Sequence, residues 1–220
     1  MMASGIISRE SLETGTSPVH RRIKVGPEPR KLSPTLALRR LGLGLLVSLL
    51  FCAAVAQVRQ ADEDRVKAAY LYNFAKFVEW PPASFSSVDD PLIICSVGDA
   101  RLAEILQQTA RGKQAQGRSI EVRQVSGAGE FKACRILWIA FPDKERISPI
   151  LRSVQSASVL TVGQSDEFIR LGGTINLARN ENSIELEINP KAAETAGLKI
   201  SSRLLAVSRV VASPSGGGTL

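Results

Sequence analysis

From residue 61 onward the chain passes from one long helical period to a series of short, nearly continuous apolar runs. Between Ala61 and Trp80, Val66, Ala69, Tyr70, Phe74, Phe77 and Val78 recur at helical spacing as a broad apolar face, with Asp62, Arg65, Asn73, Lys76 and Glu79 on a narrow polar stripe. Pro81-Pro82 stops that helix, because proline lacks the N–H that continues the ladder. After a loop at 83–90, Leu92-Ile93-Ile94-Cys95-Ser96-Val97 has strand length, and Gly98-Asp99 supplies a turn and an N-cap. A helix follows with Leu102, Ile105 and Leu106 on one face. Gly112 to Gly117 reads as a polar loop, Ser119 to Val125 as an alternating strand and Gly127 to Phe131 as a short helical turn. Arg135 to Ala140 reads as a fully buried strand, Lys144 to Ser153 as a helix and Ser158 to Val162 as a strand.

The last third changes rhythm. Asp166 to Leu171 reads as a short helix ended by Gly172-Gly173, and Thr174 to Ala178 and Ser183 to Ile188 as an antiparallel hairpin around the polar segment Arg179 to Asn182. Asn189-Pro190 then opens helices at Lys191 to Ala196 and Ser201 to Val207. Short apolar strands separated by helices imply one α/β domain over 61–211: a mostly parallel sheet flanked by helices, with a C-terminal antiparallel hairpin. Residues 212–220 are rich in Gly and Ser and are expected to be a flexible tail.

Upstream, Arg39-Arg40 precede the apolar run Leu41 to Val55, which closes on Ala54-Val55-Ala56. A basic start, an apolar stretch and a small-x-small ending predict a signal peptide over 39–56, cleaved after Ala56, and an exported mature protein. A membrane anchor needs about 20 apolar residues, more than this run supplies. Residues 1–38 have no apolar period and are expected to be disordered or, with translation starting nearer Leu32 or Leu36, absent.

Charge supports this division. The net charge is +7, and residues 1–56 carry eight Lys and Arg against three acids. The remainder is close to neutral, with no basic stripe for a nucleic acid. Of three cysteines, Cys52 lies in the leader. Cys95, inside the first apolar strand, and Cys134, immediately before the third, are a candidate disulfide in an oxidising compartment; two buried thiols are the alternative. Such a bridge stabilises by roughly 4 kcal/mol at most on the chain-entropy account.

Catalytic chemistry is sparse. The one histidine, His20, is in the leader, so the mature chain can build no Ser-His-Asp or Cys-His arrangement and no HExxH zinc helix. No cofactor or metal is expected. Glu185 and Glu187 share one side of a strand and are expected to face solvent. The best ligand candidates are Gly163, Ser165 and Asp166, beyond the end of a parallel strand, together with Arg179; ordinary turn and cap chemistry explains the same residues. Tyr70, Tyr72, Phe74, Phe77 and Trp80 are candidates for packing on a partner protein, with core packing as the alternative.

Taken together, Tyr70-Leu71-Tyr72-Asn73-Phe74-Ala75-Lys76-Phe77-Val78-Glu79-Trp80-Pro81, the strand Leu92-Ile93-Ile94-Cys95, and Val159-Leu160-Thr161-Val162-Gly163 with Phe168 and Gly172-Gly173-Thr174-Ile175-Asn176 resemble the YfiR-like family of periplasmic proteins. The resemblance covers roughly residues 66–210. It implies a regulator, not an enzyme, that represses an inner-membrane diguanylate cyclase through the cyclase's periplasmic sensor portion and so lowers cyclic di-GMP. It further implies a homodimer, and an OmpA-like outer-membrane lipoprotein that titrates the regulator away. Cysteines at positions like Cys95 and Cys134 belong to the resemblance; a second pair near the Gly-Gly segment is absent here.

Overall fold

The computed structural model describes residues 60–180 and 183–211. The expected leader at 1–38 and 39–56 and the tail at 212–220 lie outside the described residues.

A helix at 60–77 (α1) opens the described chain. It is followed by β1 (Val78–Glu79), β2 (Leu92–Val97), α2 (Ala100–Ala110), β3 (Gln114–Ala115), β4 (Arg118–Gln124), α3 (Ala128–Phe131) and β5 (Ile136–Ile139). Then come α4 (Lys144–Val154), β6 (Leu160–Gly163), β7 (Ile175–Asn180), β8 (Ser183–Ile188), α5 (Pro190–Thr195), β9 (Lys199–Ile200), α6 (Ser202–Ala206) and β10 (Arg209–Val210). Eight strands form one sheet in the order β10-β8-β7-β6-β5-β2-β4-β3. β4, β2, β5, β6 and β7 run parallel, while β8 returns antiparallel to β7 as the expected hairpin.

The sheet is covered on both faces, which is why its central strands are apolar on both sides. Ile94, Ile136, Trp138, Leu160, Val162 and Ile175 pack with α1, α2, α5 and α6. Cys95, Val97, Leu137 and Ile139 pack with Phe131 of α3 and Ile147, Ile150, Leu151 and Val154 of α4. Cys95 and Cys134 form a disulfide, with Cα atoms 5.8 Å apart, and both are fully buried in that second cluster. It ties the strand β2 to the entry of its neighbour β5.

Local chemistry sets the ends. Asp99 and Asp143 each accept a backbone N–H three residues on, capping α2 and α4. α1 stops at 77, three residues earlier than its sequence period suggests, because β1 pairs with β9 there and Ser201 N–H donates to the Phe77 carbonyl. The segment read as a polar loop, Gly112 to Gly117, contains β3 and a tight hairpin turn in which both Gln116 and Gly117 take positive φ, 52° and 76°. The Gln116 amide turns back and donates to the Ala75 and Val78 carbonyls at the end of α1.

Three further expectations need correction. The buried face of α1 is Asp64, Lys67, Ala68, Leu71, Phe74 and Ala75, whereas Val66 is 46% exposed and Ala69 is exposed. The helix is rotated from the expected setting because the large aromatics do not all lie on its core side. Residues 166–171 form consecutive turns, not a helix: the bonds Phe168 N–H to Ser165 O and Gly172 N–H to Ile169 O are of the i to i+3 type, and the single i to i+4 bond, Leu171 N–H to Glu167 O, does not propagate into a ladder. Glu187 does not face solvent. It accepts from the Asn176 amide at 2.8 Å and pairs with Arg209.

Candidate functional site

In an open parallel sheet the usual ligand crevice lies beyond the carboxyl ends of the strands, where successive connections leave in opposite directions. Here β2 connects to β4 on one side, and β5 joins β2 on the other, so that point lies between β2 and β5. The N-terminal half of α1 occupies the neighbourhood. Lys67 is 4% exposed, with its Nζ 2.8 Å from Glu63 and 3.8 Å from Asp64, and it lies 5.9 Å from the centroid of the Trp138 ring on β5. Arg101, in the first turn after β2, reaches Asp64 at 3.1 Å. Arg179, near the end of β7, reaches Glu63 at 2.6 Å, and Gln164, immediately after β6, donates to the same carboxylate.

Residues from four segments thus meet in one network of fixed charge. Burial pushes the Glu63 carboxyl up, but hydrogen bonds from Arg179, Lys67 and Gln164 outweigh it and hold the group down at about 2. A carboxylate this firmly ionised is a poor proton donor or acceptor near neutrality. The crevice is therefore stabilised by the chain's own ion pairs. Asp64 and Lys67 were missed as core members. The signal was present, since 64, 67, 71, 74 and 78 recur at helical spacing, but two charged residues in that stripe argued against it.

Of the expected ligand residues, Gly163, Ser165 and Arg179 make contacts within the fold. Gly163 and Gly173 are both buried and flank the fully buried Phe168 ring, and a Cβ at either glycine would fall inside that ring. The Val-Gly and Gly-Gly pattern is thereby explained as a cradle for one phenylalanine. Ser165 N–H donates to Asn176 Oδ1 at 3.0 Å, its hydroxyl accepts from Glu167 N–H, and Asp166 is exposed. Arg179, as above, is held by Glu63.

The aromatic helix divides. Phe74 is fully buried and Trp80 is 7% exposed, its Nε1–H donating to the Arg135 carbonyl at 3.1 Å. Tyr70, Tyr72 and Phe77 remain partly exposed. Tyr70 stacks on Phe74 with centroids 6.0 Å apart, and Lys76 and Lys113 lie 5.4 and 4.8 Å from the Tyr72 ring centroid. Tyr72 is thus the centre of a small patch that is both aromatic and cationic.

Among the described residues, no group of three or more His, Cys, Asp and Glu is placed to hold a metal, and no helix is long and apolar enough to cross a membrane. Comparisons with solved structures give an ABC domain from Streptococcus pneumonia, crystallised with L-Trp, at 12% identity over 54% of this chain and 55% of that one, with a TM-score of 0.37. A conserved domain protein from Vibrio cholerae O1 biovar El Tor is 14% identical over 55% of each chain, with a TM-score of 0.41. The chain spans about half the length of each, and likeness at this level carries no argument about function. No curated protein matches. The YfiR/HmsC-like family profile, by contrast, matches residues 64–209, from the first buried carboxylate of α1 to the last strand. By that match the chain belongs to the YfiR/HmsC-like family, which at family level comprises periplasmic regulators of cyclic di-GMP signalling.

Proposed function

We propose that the protein represses an inner-membrane diguanylate cyclase by docking on the cyclase's periplasmic sensor portion, and that Tyr70, Tyr72 and Phe77 of α1 form part of the contact. The observation that carries this reading is the family match over residues 64–209. Two features of the structure support it. The crevice where such sheets usually take small substrates holds a network of internal ion pairs. The partly exposed aromatics, by contrast, sit beside Lys76 and Lys113, which make no ion pair among the described residues, a combination suited to a partner surface carrying acids and apolar side chains. In the same reading the regulator is exported and cleaved after Ala56, forms a homodimer, and is withdrawn from the cyclase by an OmpA-like outer-membrane lipoprotein.

The test is co-purification from membranes together with measurement of cyclic di-GMP. Deleting the gene raises cyclic di-GMP. Tyr72→Ala leaves a folded protein that co-purifies less of the cyclase and reproduces part of that rise. Unchanged cyclic di-GMP after deletion overturns the cyclase as target, and undiminished co-purification by Tyr72→Ala with Phe77→Ala removes α1 from the contact.

A further inference from the structure

At the opposite end of the sheet, near the amino ends of β6 and β7, there is a cavity of about 250 Å³. It is bounded by the last turn of α4, the end of the 164–174 connection and the start of α5, which is set beside β7 by the Asn189 N–H bond to the Thr174 carbonyl at 2.9 Å. Its walls include Leu151, Val154, Val159 and Leu171, and its polar floor is Thr161 and Thr174. Arg152 and Lys191 stand at its rim, make no ion pair among the described residues, and meet no acidic residue in the lining.

The floor has a surplus donor. Thr161 and Thr174 are 4% and 2% exposed, and their Oγ1 atoms are 3.1 Å apart. Thr161 Oγ1 also accepts from the Thr174 backbone N–H at 3.0 Å. Two hydroxyls carry two protons, and one mutual hydrogen bond uses only one of them. Whichever hydroxyl donates to the other, one buried O–H remains with no acceptor among the described residues, and both threonines line the cavity. A buried donor without an acceptor is destabilising, so an acceptor from outside relieves that cost in addition to making its own contacts.

We propose that this cavity binds a small monocarboxylate with a short branched apolar body. The carboxylate accepts from the free threonine hydroxyl and faces Arg152 and Lys191, while the body lies against the valine and leucine walls. The volume limits the ligand, being below the roughly 300–1,000 Å³ of sites for drug-sized molecules. Two unopposed cations and a surplus donor, with no acidic lining residue, select the charged acid over its neutral amide. The site is separate from the α1 aromatics, so its failure leaves the cyclase reading standing, and the reverse.

The test is titration of the full chain with 4-methylpentanoate, its amide and inorganic phosphate, followed by calorimetry and methyl NMR. The acid binds saturably and shifts the methyl resonances of Val154, Val159 and Ala192. The amide binds about tenfold more weakly or less, as loss of charge-assisted hydrogen bonds entails. Arg152→Gln with Lys191→Gln, both at exposed positions, produces a similar loss without unfolding, and Thr161→Val weakens the acid more than the amide. Overturning results are no saturable shift at millimolar acid, equal binding of acid and amide, or phosphate binding as tightly as the acid, which marks an adventitious ion only.

Discussion

At the carboxyl ends of the parallel strands, Glu63, Asp64, Lys67, Arg101 and Arg179 satisfy one another and close the space where such a fold commonly takes a ligand. At the amino ends of β6 and β7, Arg152 and Lys191 have no carboxylate partner among the described residues and border a cavity with a surplus hydroxyl proton. Both regions contain lysine and arginine, yet only pairing and burial separate a structural charge from one able to meet a ligand. Lys67 is 4% exposed and its removal leaves two carboxylates undercompensated in low dielectric. Arg152 is exposed and its removal leaves nothing stranded.

The largest effect therefore belongs to Lys67→Met, which keeps the volume and removes the charge. It destabilises the fold by about 3 kcal/mol, the low end for breaking a buried ion pair, because Arg101 and Arg179 still face the carboxylates. Thermal unfolding reads this as a fall in Tm of roughly 6–12 °C for a chain of this length. A cost near zero would mean that the network does not hold α1 on the sheet. Acid titrates the same contrast. Glu63 has its folded-state carboxyl held at about 2, below the unfolded value of 4.5, so its contribution is fully present above about pH 4.5 and is lost as pH falls toward 2. That contribution is about 2 kcal/mol after discounting for the partial exposure of the group. Denaturant unfolding at pH 7 and pH 3 should show it in the native protein and not in Glu63→Gln.

These contrasts explain what could be read along the chain. Leu92–Val97, Ile136–Ile139 and Ser183–Ile188 declare themselves because a strand buried on one or both faces must carry apolar residues in a run or an alternation. β3, β9 and β10 have two residues each, too few for a period, and exist through their neighbours. Arg152 and Lys191 lie on different helices with nothing in their spacing to link them, so only the fold brings them to one rim. The candidate loop shows a different limit. Its glycines were legible as special, but what requires them is Phe168. Gly163→Ala accordingly costs about 2 kcal/mol by overpacking, whether or not any small molecule is present. Phe168→Leu in the same chain recovers part of that loss in thermal unfolding. A Gly163→Ala protein with unchanged stability would mean that Phe168 does not require a glycine there.

The smallest effect is also the sharpest test of the comparison. Replacing Arg152 or Lys191 by Gln removes one positive charge, as Lys67→Met does. Neither side chain is buried or ion-paired, however, so stability changes by less than about 0.5 kcal/mol. Lys191 lies in the first turn of α5, where a cation opposes the helix dipole, so its removal is neutral or slightly stabilising. The measurement is urea unfolding of the three variants side by side, with midpoints compared at equal slope. If the cavity variants lost as much stability as Lys67→Met, the rim charges would be structural, and the two ends of the sheet would be using charge in the same way.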